Sequence, residues 1–532
     1  MLFRSNQGHR DRTNGLKMAQ SFKLLGVVTG ALMLSGCIMI GPDFVTPKTP
    51  VVDRWKEAND LKPNKASGLT TRSEPVIAWW ETFKDPVLNQ LIDEAYQQNL
   101  SLQIAGARVL EARAQLGIAF GELFPQTQRV GVGYEKRKIS SNFSPARDIE
   151  RVIDLDLDFA HWDAGFDATW EIDLWGGIRR GVQSAKANLA SQIASYDDAL
   201  VTLTGDVATV YVNIRALQAG LGIAWTNVKL QEKSLNITEL RFKNGVTTEL
   251  DVEEAKTLLN NTKAIVPGLQ IQLEQSLNAL AVLLGKAPED MEKLLGKYGR
   301  IPRTSSKVAV GIPNQLLRRR PDIRAAEMEA AAQAGQIGVA LNDLYPQFVL
   351  VGQIGVRATD VSDLLQGPSV AGVINPGIVW NIFNYGRIKN NVRVQDARYQ
   401  ALIANYQNTV VSAYMEVENA LVAYKKSRTQ AVYYGRSVRS SRKATEIALL
   451  QYQDGTADYS RVLNTQSALL EAESNLISTQ AEVASNLVAL YKALGGGWQV
   501  RVGQEFLPDT VLAEMAHRTD WGDLLAIENQ SN

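Results

Sequence analysis

The sequence predicts a mainly α-helical chain with a smaller β part, the β part being a barrel that closes only when several copies of the chain associate. Three observations carry this: the chain is written twice, it holds two very long proline-free helical stretches, and it has short segments in which every second residue is apolar.

The duplication comes first, since a repeat decides the architecture. Gln115-Leu116-Gly117-Ile118-Ala119 is echoed by Gln336-Ile337-Gly338-Val339-Ala340, and Phe124-Pro125-Gln126 by Tyr345-Pro346-Gln347, both at a shift of 221. Further on the shift settles at 210: Trp170 matches Trp380, Gly176 matches Gly386, Phe242 matches Tyr452, Gly245 matches Gly455, and Leu284-Gly285 matches Leu494-Gly495. The first copy therefore carries 11 extra residues somewhere in 126–169. The two units span 85–290 and 314–497, joined by a linker at 291–313 and followed by a tail at 498–532.

Each unit has the same grammar. A helix, 86–121 or 314–342, precedes an alternating region, 124–174 or 345–384. A long helix, 178–242 or 388–452, then runs to the glycine turn, and another returns to Gly285 or Gly495. Pro321 is tolerated near a helix start, where a proline loses no helical bond. Each long stretch of about 65 residues is close to 100 Å of helix at 1.5 Å per residue, about three times the hydrocarbon thickness of a bilayer. Apolar stripes that long need neighbours, as in a coiled coil or a helical barrel. The alternative is a structural or adhesive coiled-coil rod. The two tight turns require a residue tolerant of positive φ, and Gly245 and Gly455 supply it.

In the alternating regions, Ile153 to Phe159 places Asp154, Asp156 and Asp158 between apolar residues. Phe166, Ala168, Trp170, Ile172 and Leu174 alternate with Asp167, Thr169, Glu171 and Asp173. The phase switches near Asp163-Ala164-Gly165, which predicts a turn or bulge there. In the second copy Phe348, Leu350, Ile354 and Val356 share one face, and Ile378, Trp380 and Ile382 another. Segments of this length and period suit tilted membrane strands. Four strands per chain cannot seal a barrel in lipid, whereas three chains supply twelve. The acids Asp154, Asp156, Asp158, Asp167, Glu171 and Asp173 would then line a lumen and favour cations.

Lys23, the apolar run Leu24 to Leu34, and Ser35-Gly36-Cys37 form a signal peptide over residues 1–36. The apolar run is too short to span a bilayer. Met18 is an alternative start to Met1. Cleavage leaves Cys37 first, heading an N-terminal segment at 37–84, and the remaining chain has 51 basic and 55 acidic residues. Over the whole chain, 56 basic residues balance 56 acidic ones, so nothing points to nucleic acid. One cysteine and three histidines, His9, His161 and His517, give neither a disulfide nor a plausible metal cage. No nucleophile–base pair or phosphate-binding glycine loop is visible, so the sequence predicts neither an enzyme nor a cofactor site.

Leu34-Ser35-Gly36-Cys37, Gly41-Pro42-Asp43-Phe44-Val45-Thr46-Pro47, Trp170-Glu171-Ile172-Asp173-Leu174-Trp175-Gly176, Arg319-Arg320-Pro321-Asp322-Ile323 and the Phe/Tyr-x-x-Gly turns together resemble the TolC-type outer-membrane efflux proteins, in the NodT-type lipoprotein branch. The resemblance implies a homotrimer with a twelve-stranded β-barrel in the outer membrane of a Gram-negative bacterium and a helical barrel in the periplasm. It implies a lipid on Cys37, export past the inner membrane because Ile38 and not Asp follows it, and a passive duct serving a periplasmic adaptor and an inner-membrane pump. It places the periplasmic entrance at the Gly245 and Gly455 turns. The family's constricting aspartates, six and nine residues beyond the second turn glycine, are replaced by Arg461 and Asn464. Tyr452 and Asp251 match family positions, and Asp454 and Asp458 are neighbouring candidates for a gate. A solvated helix face explains each of these acids equally well.

Overall fold

A computed structural model describes residues 39–49, 55–56, 69–70, 77–140, 158–288, 291–295, 299–304, 308–309 and 319–525. Cys37, Asp154 and Asp156 lie outside these residues. The principal strands are β1 (Thr127–Lys138), β2 (Asp158–Ile172), β3 (Gln347–Ala358) and β4 (Val370–Val379). The principal helices are α1 (Pro86–Gln98), α2 (Leu100–Gly121), α3 (Gly177–Lys243), α4 (Glu249–Leu283), α5 (Pro321–Asn342), α6 (Arg387–Gln453) and α7 (Tyr459–Ala493). The long helices α3 and α6 are 67 residues each, and α4 and α7 are 35 each. The chain divides into two compact units, one of residues 1–45, 114–188 and 329–402, the other of the remainder.

The first unit holds a four-stranded antiparallel sheet in the order β1-β2-β3-β4. Each repeat contributes one hairpin, and β2 pairs with β3 to join them. The duplication is visible atom by atom. The Trp170 indole N–H donates to the Leu123 carbonyl at 3.3 Å, and the Trp380 indole N–H donates to the Leu344 carbonyl at 3.1 Å. One bond thus joins the 221 register to the 210 register in both copies. The extra residues of the first copy fall between β1 and β2.

Three strand expectations need correction. β1 was not singled out by alternation, because Gly131 and Gly133 interrupt its pattern. No turn or bulge occurs at Asp163-Ala164-Gly165. The β2 ladder runs unbroken through them, with Asp163 opposite Gly133 and Arg357, and Gly165 opposite Gly131 and Gly355. Gly165 and Gly355 bring the two strands so close that a Cβ on Gly355 would lie 2.6 Å from the Ala164 carbonyl oxygen. Finally, β4 ends at Val379, so Trp380 and Ile382 lie beyond it.

Side chains of one parity share one face of a strand. The even positions read Val130, Val132 and Tyr134 in β1, and Trp162, Ala164, Phe166, Ala168, Trp170 and Ile172 in β2. They continue as Phe348, Leu350, Ile354 and Val356 in β3, and Val370, Ile374 and Ile378 in β4. That face is apolar, and most of its large residues on β1 and β4 are exposed. Trp162, its ring tilted against Tyr134 with centroids 4.8 Å apart, is eight residues from Trp170, about 26 Å along the strand. This matches the roughly 25 Å apolar band between the aromatic girdles of outer-membrane barrels.

The N-terminal segment is fastened to this unit. Ile40 N–H donates to the Trp175 carbonyl at 3.0 Å. The buried Arg180 guanidinium donates to the Ile40 and Gly41 carbonyls at 3.0 Å each and bridges Asp43 at 2.9 Å. Gly41, at φ +95, lies where a Cβ would meet the Gly338 backbone at 2.7 Å.

The second unit is a helical bundle whose core includes Trp79, Trp80, Leu88, Tyr196, Val207, Tyr424, Leu487 and Tyr491. Trp79 stacks on Tyr491 at 5.4 Å, and Tyr196 meets Phe506 edge-on at 5.1 Å. Pro86 and Pro321 each occupy the first position of a helix, as the sequence argument for Pro321 requires. The single helix expected over 86–121 is broken at Asn99 instead. Its side chain accepts from Leu102 N–H at 2.8 Å and donates to the Leu283 carbonyl at 2.9 Å. It thereby caps α2 and ties it to the end of α4.

Buried ions reinforce this unit. Asp197, fully enclosed, accepts from Arg324 at 2.7 Å and Arg501 at 2.6 Å. Arg320 bridges Asp322 and Glu416 at 2.7 Å each and donates to the Ala493 carbonyl at 2.9 Å. Asp198 lies in the same polar cavity with Arg320, Asp322, Glu416 and Lys492. Burial, and then the Asp322 charge, push its carboxyl up to about 6. Raising a carboxyl pKa means that ionisation opposes folding, so this cost grows from about pH 4 to pH 6 and is complete above. Asp198→Asn should therefore stabilise the protein at pH 8, by on the order of 1 kcal/mol after allowance for solvent screening. It should leave stability at pH 4 unchanged. Thermal melts at the two pH values check this, and a variant less stable at pH 8 would contradict it.

Candidate functional site: the two glycine turns

The turns that join α3 to α4 and α6 to α7 both lie in the helical unit and are built alike. Gly245 at φ +70 and Gly455 at φ +72 occupy the left-handed region that favours glycine. In the first turn Gly245 N–H donates to Phe242 and Val246 N–H to Arg241, each at 2.9 Å. In the second, Gly455 N–H donates to Tyr452 at 3.1 Å and Thr456 N–H to Gln451 at 2.9 Å. Both close the helix C-terminus by the glycine-dependent motif the spacing predicts.

The turns differ in how the next helix starts. Thr248 caps α4 in a reciprocal capping box with Asp251. Asp251 N–H donates to the Thr248 hydroxyl at 3.4 Å, and Thr248 N–H donates to the Asp251 carboxylate at 3.2 Å. The Thr247 hydroxyl also donates to that carboxylate. Asp251 is thus engaged as a helix cap. At the equivalent positions of the second turn, Asp458 occupies the N-cap without a side-chain bond, and Arg461 is exposed. Asp454 is exposed too. Asp458 and Arg461 line an open groove with Gly455, Thr456, Ser460 and Asn464.

Tyr452, a gate candidate by resemblance, is a core residue of the second turn. It is 2% exposed, packs edge-on against Tyr459 at 5.4 Å and sits in a small core with Ala255, Ala448 and Val462. Burial pushes the Tyr459 phenol up. The Arg241 guanidinium lies 4.7 Å over the Tyr452 ring and donates to the Gln453 carbonyl at 3.1 Å. Arg241 therefore fastens the first turn to the second. Arg241, Thr247 and Tyr459 were not anticipated. The available signal was positional: Arg241 is four residues before Gly245, and Tyr459 is four after Gly455.

The expected lining acids do not form one set. Asp167 and Glu171 share the odd, polar face of β2. Asp158 has the opposite parity and pairs with Lys136 at 3.5 Å. Asp173 lies past the end of β2, where its carboxylate accepts from Arg179 N–H at 2.9 Å and Nε at 3.1 Å.

An Arg241→Ala variant loses a cation–π contact of about 0.5–2 kcal/mol and the bond to Gln453. Backbone amides of 449–456 should then exchange with solvent severalfold faster. Unchanged exchange at these amides would contradict the fastening role.

Residues 91–286 and 312–496 match the outer membrane efflux protein family, one match on each repeat. The chain is 31% identical to the pyoverdine export outer membrane protein OpmQ of Pseudomonas putida, over 85% of this chain and 94% of that protein. It is 30% identical to nodulation protein T of Rhizobium leguminosarum bv. viciae, over 90% and 94% respectively. Its fold superimposes on the solved outer-membrane channel OprN with a TM-score of 0.78 at 31% identity, covering 87% of this chain and 100% of that one. A coiled-coil rod would need neither the sheet nor the twofold repeat. The chain belongs to the outer membrane efflux protein family and acts as an outer-membrane efflux channel.

Proposed function

We propose that three copies of this chain assemble into one duct, anchored by a lipid on Cys37, which receives its cargo from a periplasmic adaptor and an inner-membrane pump. The observation that carries the trimer is the sheet itself. It has an apolar face of membrane height and two unpaired edges, β1 and β4. Unpaired backbone groups cost several kcal/mol each in hydrocarbon, and three such sheets joined edge to edge leave none. The odd, polar face then lines the bore, and the helices line its periplasmic part. No step along this path requires chemistry from the chain, and the pump supplies the energy.

The anchor fits the same picture. Ile40 and Asp43, a few residues after Cys37 in sequence, are held by Trp175 and Arg180, just past the end of a membrane strand. The glycine turns, with Asp454, Asp458 and Arg461 exposed, offer the surface that an adaptor would meet.

The detergent-extracted protein should have the mass of three chains and form ion-conducting pores in planar bilayers. A monomer without conductance would contradict the duct. Cells fed labelled palmitate should label the wild type and not Cys37→Ser. Label retained on the variant would contradict the anchor.

A further inference from the structure

The polar face of the sheet is not an acidic surface. In register, Arg129 stands opposite Asp167, Glu135 opposite His161 and Arg137 opposite Phe159 on the β1–β2 ladder. On the β2–β3 ladder Arg357 stands opposite Asp163 and Gln353 opposite Asp167. Asp163 and Asp167 therefore each have an arginine at the paired position of a neighbouring strand, and Glu135 bridges Arg137 at 2.6 Å. His161 Nε2 lies 3.7 Å from Glu135 and 3.9 Å from Asp163. Among the described residues of this face, Glu171 is the carboxylate paired with an apolar residue, Val349, and with no arginine opposite.

The backbone isolates these charges into rows. Gly131, Gly165 and Gly355 align across three strands, with Ala371 next to them on β4. This row, nearly free of side chains, separates the Asp163–Arg357 row from the Asp167–Arg129 row by two residues on either side, about 7 Å. Gly133 leaves room for the Asp163 carboxylate, since a Cβ there would lie 3.0 Å from it.

We propose that Arg129 and Arg357 set the ion selectivity of the bore. They cancel the fields of Asp167 and Asp163, so that the barrel passes cargo of either charge. The assignment rests on the reading of this face as the lumen. A charge of opposite sign at the paired cross-strand position offsets the field of each carboxylate in the water-filled bore, where passing ions feel it. Without the two guanidiniums, each chain would present uncompensated carboxylates at two levels, repeated around the axis.

The test is the reversal potential of single pores in planar bilayers under a KCl gradient. The Arg129→Gln/Arg357→Gln double variant should raise the potassium-to-chloride permeability ratio by at least about threefold over the wild type. The Arg129→Lys/Arg357→Lys variant, which keeps the charge, should retain the wild-type ratio. Pores whose ratio ignores the glutamine substitutions overturn the assignment alone, as does a lysine variant that behaves like the glutamine one. A wild type that forms no pore overturns the lumen reading together with it.

Discussion

The structure depends on one constraint: backbone N–H and C=O groups in hydrocarbon must be paired. A four-stranded sheet with an apolar face about 26 Å high satisfies its interior strands and leaves β1 and β4 open. Charged residues, Glu135 to Lys138, crowd one end of β1, while the middle of that edge, Val130 to Gly133, and most of β4 carry valine, isoleucine and glycine. In water such edges invite aggregation. In a closed ring they are the mutual interface. The long helices face the analogous problem, since stripes of that length are satisfied by neighbouring helices and not by a compact core.

Duplication solves both problems economically. Each repeat brings one hairpin, one long helix, one glycine turn and one returning helix, and the local bonds recur in both copies, from the tryptophan N–H of Trp170 and Trp380 to the closures at Gly245 and Gly455. Where the copies diverge, the difference lies in how the returning helix is capped. The first turn ends in a saturated capping box at Thr248 and Asp251, while the second leaves Asp458 and Arg461 exposed. Arg241 then links the two. The first turn therefore engages its acid in a helix cap, while the second leaves its equivalent polar groups exposed.

The two long helices were legible almost to the residue. The two 67-residue helices contain no proline, and the four longest helices end at Gly245, Gly285, Gly455 and Gly495, each with positive φ. Asn99 escaped notice because an asparagine inside an apolar helical pattern does not reveal that it will cap the following helix and hold Leu283. The strands were legible as alternation but not in detail. Glycines at 131, 133, 165 and 355 remove the side chains that would mark a face, and in the register between Phe159 and Phe166 the apolar parity is carried by Ala160, Trp162 and Ala164. The acids were read by type and not by parity, so Asp158 and Asp173 were grouped with Asp167 and Glu171. The residues opposite Asp167, Arg129 and Gln353, come from other strands, and only pairing reveals them. Tyr452 was read as a gate by resemblance, although its burial beneath Arg241 makes it part of the turn's core.

The most direct measurement of the central claim is inter-subunit crosslinking with one engineered cysteine on β1 and one on β4, scanned along both edges in a Cys37→Ser background. Mild oxidation should give dimers and trimers on a denaturing gel, with the ladder stopping at three chains and the yield peaking at one register. Absence of crosslinks at every pair, or a ladder that continues past three, would contradict a closed ring of three sheets.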